Sequence, residues 1–389
     1  MARILLDVSR IVGRLLKGRV PTGIDRVGLA YVKHFRANAR AVLCASGASL
    51  VCGPTESQIL FDWMLSSGKS GMSWRSIAAC LLSATASKVD PGSVFLNTGH
   101  SNLDRKRYIG MLQRRRVKPV LLIHDLIPIT HPEYCREGEQ ARHQARIANA
   151  LAIGSGIICN SQDTLDRLTN YCHRLGRQMP PALSASLAPG LPKLPPGPPP
   201  ISEPYFVVLG TIEPRKNHLM LLQIWKGLIE RLGESAPRLV LIGQRGWECE
   251  HVVRVLERSP TLPRFVTEMS SCPDEELAAV LHHARALLCP SFVEGYGLPI
   301  AEALTHGVPV IASDLPVFRE FAGDVPDYLD PLDSLRWAQS VEAYCRMDSV
   351  ERSLQLARMP RFSIPTWAEH FAKVDEFIDG IAPVERVLA

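Results

Sequence analysis

Several large protein classes are marked by features that this sequence lacks. Its ten cysteines among 389 residues include no Cys-x-x-Cys pair and none of the paired spacing of small secreted scaffolds. Those at Cys44, Cys80, Cys159 and Cys289 sit singly in apolar surroundings and read as reduced core thiols. Twelve histidines give no His-Glu-x-x-His, and no Asp-x-Asp is present to hold a metal-bound diphosphate, so neither a metal nor a cofactor is expected. No run of about 18 apolar residues occurs, and the chain turns acidic at Asp7 before a long apolar stretch develops; neither a signal peptide nor a membrane span is expected. No Gly-x-Gly-x-x-Gly follows the strand-like segments Ile4–Val8 or Tyr205–Leu209, which counts against a dinucleotide-dependent oxidoreductase. Aromatic residues are few, at 6%, and Tyr108 stands almost alone among the arginines, so the stacking platform of a nucleic-acid binder is missing.

What is present is an ordinary globular composition, 46% apolar and 21% charged, in a chain long enough for two or three domains. The net charge of +5 conceals a division: residues 1–200 hold 26 Lys and Arg against 12 Asp and Glu, a formal +14, and residues 201–389 hold 18 against 27, or −9. A half this basic favours an anionic partner such as nucleic acid, membrane headgroups or a phosphorylated lipid.

Between Met179 and Pro204 the chain is dense in proline and carries one charge, Lys193, before Glu203. It cannot form a helix or a central strand there and is expected to be a semi-extended linker. The expected organisation is an N-terminal domain over 1–180, a linker over 181–204, a C-terminal domain over 205–365, and a helix over 366–389 packing back on the N-terminal domain. Apolar runs alternate with segments of helical spacing in both halves. In the second, Tyr205–Leu209 is followed by Asn217 as a helix cap and by Leu219, Leu222, Trp225, Leu228, Ile229 and Leu232 on one helix face. Strands follow at Leu239–Ile242, Ala286–Cys289 and Val308–Ala312. In the first half, strands are expected at Ile4–Val8, Val94–Asn97, Val120–His124 and Gly156–Asn160. The pattern predicts two α/β bodies, each a doubly wound parallel sheet, with ligands beyond the C-terminal strand ends.

The richest of those strand ends is Pro290–Leu304. Gly295 and Gly297 permit close backbone approach to a ligand, Pro299 suits a first helical turn, and helix N–H groups favour a diphosphate. Glu294 and Glu302 can reach hydroxyls at opposite ends of an elongated ligand. After Leu209 comes Gly210-Thr211-Ile212-Glu213-Pro214-Arg215-Lys216-Asn217, which brings two cations to a helix start, where a departing diphosphate needs them. In the basic half, His124 and Asp125 follow the strand Val120–His124, and Pro21-Thr22-Gly23-Ile24-Asp25-Arg26 enters a helix that Thr22 can cap. Arg10, Arg14, Lys17 and Arg19 precede it, and Arg105, Lys106, Arg107, Arg114, Arg115, Arg116 and Lys118 form a second basic group.

The string Glu294 to Glu302 resembles the retaining glycosyltransferases of family 4, which have the GT-B fold of two Rossmann-like domains facing across a cleft; the similarity covers residues 205–325. The resemblance implies that Glu294 meets the transferred sugar and Glu302 the nucleotide ribose, with Gly295, Tyr296, Gly297 and Leu298 on the donor. It implies that Lys216 takes the diphosphate; the family's other cation falls at Thr211, with Arg215 the substitute. His124 would face the donor sugar, while Gly23, Asp25, Arg26 and Asp125 would serve the acceptor or the phosphates. The implied activity is metal-independent transfer of a hexose, mannose from GDP-mannose, to a polyprenyl-diphosphate-linked saccharide of bacterial exopolysaccharide or O-antigen assembly, on the inner face of the cytoplasmic membrane. A UDP-sugar donor, a sugar-nucleotide epimerase of the same fold and a nucleic-acid-binding protein are the alternatives.

Overall fold

A computed structural model of the chain describes residues 4–19, 21–45, 48–66, 89–193 and 197–381. They divide into two compact units, one of residues 1–129, 140–187 and 366–389, the other of residues 130–139 and 188–365.

The first unit is built on a sheet of β1 (Ile4–Asp7), β2 (Ala39–Ala45), β3 (Ala48–Val51), β4 (Val94–Asn97), β5 (Lys118–Ile123), β6 (Gly156–Cys159) and β7 (Ala182–Ser184), in the order β3-β2-β1-β4-β5-β6-β7. All neighbours are parallel except β2 and β3. Leu5, Leu6, Phe95, Leu96, Leu121, Leu122, Ile157 and Ile158 are all buried, because helices cover both faces of a parallel sheet and its strands become apolar throughout. The register sets Ile4 against Ala39 on one side and Val94 on the other. The strand order reverses at β1 and β4, so their C-terminal ends flank the crevice where doubly wound sheets bind ligands.

Two helices fix the ends of this unit. Gly23–Phe35 buries Val27, Tyr31, Val32 and Phe35. Trp367–Ile381, from the far end of the chain, buries Phe371, Val374 and Ile378, each contributing about 1.5–3 kcal/mol. The Tyr31 hydroxyl donates to His370 Nε2 at 3.0 Å, because the other ring nitrogen, Nδ1, donates to the Ser186 carbonyl at 3.0 Å. Burial holds the His370 pKa down to about 4, so the ring is neutral in the folded chain.

The second unit has six strands, β8 (Tyr205–Leu209), β9 (Arg238–Ile242), β10 (Val266–Met269), β11 (Leu287–Cys289), β12 (Val310–Ser313) and β13 (Asp327–Leu329), all parallel and ordered β10-β9-β8-β11-β12-β13. Tyr205, Val207, Val240, Leu287 and Val310 pack on one face, and Phe206, Leu239, Leu241, Leu288 and Ile311 on the other, the alternation a pleated strand imposes. Here the strand order reverses between β8 and β11.

The units differ from the expected domains in three places. Residues 188–204, expected to be a linker, belong to the second unit, where Leu191 is buried in the core and Ile201 packs against it. Ala182–Ser184, placed by sequence at the start of the linker, pairs with β6 and completes the first sheet. Thr130–Glu139, from the N-terminal half, belongs to the second unit. Its Tyr134 ring stacks on Phe292 at 5.2 Å and 2°, the Trp247 indole donates to the Tyr134 carbonyl at 3.1 Å, and Arg136 lies 5.0 Å over the Trp247 ring. The chain therefore passes between the units four times. Cys159 and Cys289 are buried free thiols and Cys44 is half-buried; Cys80 lies outside the described residues. Among the described residues no helix is long and apolar enough to cross a membrane, and no His, Cys, Asp and Glu group has the geometry of a metal site.

Candidate active site

The loops that follow β8, at the reversal point of the second sheet, and its neighbour β9 fit together only through glycine. Gly210 and Gly243 have φ of +146° and +155°, and a Cβ on Gly243 would lie 2.0 Å from the Gly210 carbonyl oxygen. Beyond them Ile212 N–H donates to the Gln244 carbonyl and Gly246 N–H to the Ile212 carbonyl, each at 3.0 Å. The Thr211 methyl abuts Gly246. The Lys216 ammonium runs back along Gly210, where a Cβ would stand 3.4 Å from Nζ.

A single turn, Pro214–Lys216, then carries both cations to Glu294. Glu294 Oε1 accepts from Lys216 Nζ at 2.5 Å and from Ser291 Oγ at 2.7 Å, and Oε2 accepts from Arg215 Nη1 at 2.5 Å. Arg215 Nη2 pairs with Glu213 at 2.5 Å, and its Nη1 also donates to the Val293 carbonyl at 3.1 Å. The side chains of Glu213, Lys216 and Glu294 are 2%, 10% and 8% exposed, so the four charges form one desolvated cluster of net charge zero. Burial pushes the Glu294 carboxyl up, but Arg215 and Lys216 outweigh it and hold the pKa at about 2. Glu213 is shifted upward, because burial, with the Glu294 charge adding to it, outweighs the pull of Arg215 and Lys216.

This geometry changes the expectation for Arg215 and Lys216. They come to the predicted place, but each is already paired, so an incoming anion must share or displace carboxylate. Glu213 and Ser291 complete the cluster and were missed by sequence reasoning; the one available signal for Glu213 was its place two residues before Arg215. Asn217 does precede the helix His218–Leu232, but it is left-handed (φ 56°) and makes no side-chain cap; its amide donates to the Pro331 carbonyl at 2.9 Å.

On the other strand of the reversal point, β11 leads through Pro290–Gly297 into the helix Leu298–Thr305. Glu302 is 6% exposed within that helix. Gly297 has φ of +115°, and a Cβ there would meet the Phe318 ring at 2.7 Å, so this glycine is required by its own packing. The Tyr296 ring is buried and stacked on Phe321 at 4.8 Å, so any donor contact of this residue falls to its backbone. Gly295 and Leu298 are half-buried at the loop end.

In the first unit, His124 follows β5 and is 4% exposed. Its Nε2 donates to the Thr98 carbonyl at 2.7 Å, and its backbone N–H donates to His100 Nε2 at 2.9 Å. A third histidine, His143, lies 5.4 Å from His100 and donates to the Asp125 carbonyl at 3.1 Å. Burial lowers the pKa of His100 and His124, so both are neutral bases near pH 7. His100 and His143 were not singled out from sequence, although His100 lies just past β4, as His124 does past β5. The Asp125 carboxylate accepts from Ile127 N–H at 3.0 Å and closes a turn.

Asp25 is 1% exposed and occupied by its own fold. Oδ2 accepts from Thr22 N–H at 2.8 Å and Thr22 Oγ1 at 2.7 Å, Oδ1 accepts from Arg10 Nε at 2.9 Å, and Arg14 Nε lies 2.7 Å from Oδ2. Asp25 and Thr22 thereby close a capping box, while Gly23 is exposed and Arg26 half-buried at the same helix start.

Residues 196–325 match the family model described as glycosyl transferases group 1. The O-antigen chain mannosyltransferase B of Escherichia coli is 32% identical over 234 residues, 57% of this chain and 60% of that protein. The serotype-specific mannosyltransferase WbdA of Escherichia coli is 28% identical over 219 residues, 52% of this chain and 26% of that protein. The chain thus spans less than two thirds of either relative. Among solved structures, Anabaena Alr3699/HepE in complex with UDP and glucose superposes with a TM-score of 0.67 at 17% identity, over 97% of this chain and 99% of that one. By its fold the chain is a GT-B protein, and by residues 196–325 it resembles the group 1 glycosyltransferases.

Proposed function

We propose that the chain is a retaining glycosyltransferase that moves mannose from GDP-mannose to a polyprenyl-diphosphate-linked saccharide in O-antigen or exopolysaccharide assembly. The observation that carries this reading is an ionised Glu294 held between Arg215 and Lys216 at the strand-order reversal of a segment resembling group 1 glycosyltransferases. The mannosyl donor and the O-antigen setting are supported by the likeness to the two Escherichia coli relatives, one an O-antigen chain mannosyltransferase and the other a serotype-specific mannosyltransferase.

With a pKa of about 2, Glu294 has no proton to give near neutrality and acts as a fixed negative charge and hydrogen-bond acceptor. A carboxylate has about four acceptor positions, and three are taken by Lys216, Arg215 and Ser291; the fourth suits a sugar hydroxyl. The same charge favours a sugar ring acquiring oxocarbenium character. As the diphosphate departs, Lys216 and Arg215 move their hydrogen bonds from Glu294 to its oxygens, so their stabilisation grows along the reaction coordinate. Glu302 binds the donor ribose. His124, neutral and with Nε2 fixed on Thr98, presents Nδ1 to a sugar hydroxyl. The acceptor hydroxyl gives its proton to the departing phosphate on the same face, and no separate base is needed.

The lipid-linked acceptor and a peripheral place at the inner face of the membrane rest on surface charge. Arg10 and Arg14 each turn Nε to Asp25, and the exposed members of the two basic groups are Lys17, Arg19, Arg105, Lys106, Arg107, Arg114 and Arg116. At about 1 kcal/mol per cation near an anionic leaflet, a few suffice to hold the protein there. The deciding experiment is nucleotide release from GDP-mannose and from UDP-glucose with lipid-linked acceptor present. GDP release at background rate overturns the mannosyl assignment, and silence with every nucleotide sugar overturns the transferase reading.

A further inference from the structure

The reversal point of the first sheet carries a cationic group that the proposed chemistry has not used. A crevice of about 10 Å³, room for one oxygen atom, opens between the ends of β1 and β4; Asp7, Asn97, Thr98 and Ser101 give it its polar lining, Ile11 and Ile24 its apolar one, and Arg10 stands at its edge. Arg10 is built into its edge from two sides. Nε is fixed by the Asp25 carboxylate at 2.9 Å, itself anchored by Thr22 and Arg14. The aliphatic stem lies over Gly99, where a Cβ would stand 3.0 Å from Arg10 Cδ. Its two terminal amino groups have no protein partner among the described residues, and its side chain is 34% exposed. The polar neighbours are otherwise satisfied: Asn97 donates to the Ser101 carbonyl at 3.0 Å and to the Tyr108 hydroxyl at 2.8 Å, and Tyr108 donates to Asp7 at 2.6 Å.

A guanidinium held by Nε with both amino groups free is a preorganised fork for two oxygens of one phosphoryl group. Arg10 also lies near enough to His124 and His100 for its charge to add to the effect of burial on both rings, so an anion bound there sits beside the histidine assigned to the sugar. We infer that Arg10 is the phosphoryl anchor of the first unit, binding two oxygens of a phosphate or diphosphate at the β1–β4 crevice. Which substrate carries that phosphoryl group, the donor nucleotide or the acceptor lipid, rests on the transferase reading; the binding itself does not.

The test is titration calorimetry of inorganic pyrophosphate into the full chain carrying Lys216→Ala, which weakens the anion cluster of the second unit. On that background Arg10→Gln is expected to weaken pyrophosphate binding about 10- to 100-fold, while Arg14→Gln, which also removes a grip on Asp25, changes it less than about twofold. Equal losses in the two variants make Arg10 a structural residue and overturn the inference, as does unchanged affinity in Arg10→Gln or no pyrophosphate binding in the parent. Should Arg10→Gln not fold, Arg10→Lys retains a cation at Asp25 without the fork, and any loss smaller than about threefold overturns the inference. In the otherwise native chain, a higher KM for the diphosphate-linked acceptor assigns the phosphoryl group to the acceptor, and a higher Kd for GDP assigns it to the donor; a chain inactive with all sugars still answers the pyrophosphate question.

Discussion

Replacing Glu294 with glutamine separates two roles of one carboxylate. The amide keeps the shape of the side chain but removes one of the two negative charges that balance Arg215 and Lys216, leaving the cluster at about +1. A unit charge about 6 Å from an incoming phosphoryl oxygen is worth roughly 3 kcal/mol at an effective dielectric near 20. Allowing about half of this for solvent, GDP should bind roughly tenfold more tightly. Turnover should move the other way, falling at least ~100-fold, because the developing positive charge on the sugar loses its counter-charge. The fold is weakened too. A carboxyl shifted from 4.5 to about 2 contributes about 3 kcal/mol of stability, fully present above pH 4.5 and lost as pH falls through 2. At pH 7 the second unit of Glu294→Gln should therefore melt about 6–12 °C lower. Calorimetric melting, GDP titration and single-turnover kinetics on one preparation give all three numbers. Weaker GDP binding accompanying the loss of turnover would refute the idea that Glu294 and the diphosphate share the same cations.

Lys216→Ala should lower turnover at least ~100-fold while also weakening GDP binding, and the sign of the GDP effect distinguishes it from Glu294→Gln. Gly297→Ala combines a positive φ with a 2.7 Å approach to Phe318 and is expected to cost about 2–5 kcal/mol, read as a lower melting temperature of the second unit; an unchanged melt contradicts the packing described. His370, neutral in the fold with a pKa of about 4 against 6.5 when free, makes the first unit lose about 3 kcal/mol as pH falls from 6.5 to 4, because the unfolded chain takes up the proton first. His370→Gln should flatten that slope in urea titrations across the same range. Charge reversal at Arg105, Arg107 and Arg114 together should abolish sedimentation with vesicles containing anionic lipid without changing GDP affinity; retained sedimentation removes these residues from the membrane argument.

The central strands were legible because burial on both faces makes them unbroken apolar runs: Val94–Asn97 and Tyr205–Leu209 lie at their expected bounds. Strands at or near the edges were not. Val266–Met269 is half polar, Asp327–Leu329 is three residues long, and Ala39–Ala45 carries Arg40, whose guanidinium donates to the Cys52 carbonyl at 2.8 Å. The meeting of Glu294 with Arg215 and Lys216 could be anticipated because all three follow strands that neighbour each other at the reversal point. The counter-charge of Glu213 could not, since whether a loop carboxylate turns inward depends on side-chain direction. Asp25 illustrates the converse: a loop aspartate suggested a ligand contact, yet Thr22, Arg10 and Arg14 satisfy it locally. The assignment of Thr130–Glu139 to the second unit depends on Tyr134, Trp247 and Phe292 finding one another over more than a hundred residues of sequence, and no local pattern records that.

The exchange of pieces between the units has a consequence for how the molecule can be taken apart. A protease that cuts near residues 187–188, where the chain passes from the first unit to the second, releases two polypeptides, yet neither holds a complete body. The amino-terminal fragment keeps Thr130–Glu139, which the second body needs, and the carboxy-terminal fragment keeps Trp367–Ile381, which the first body needs. A nicked molecule is thus stapled at both ends by its own segments, and gene fragments divided at that crossing should yield soluble material only when made together.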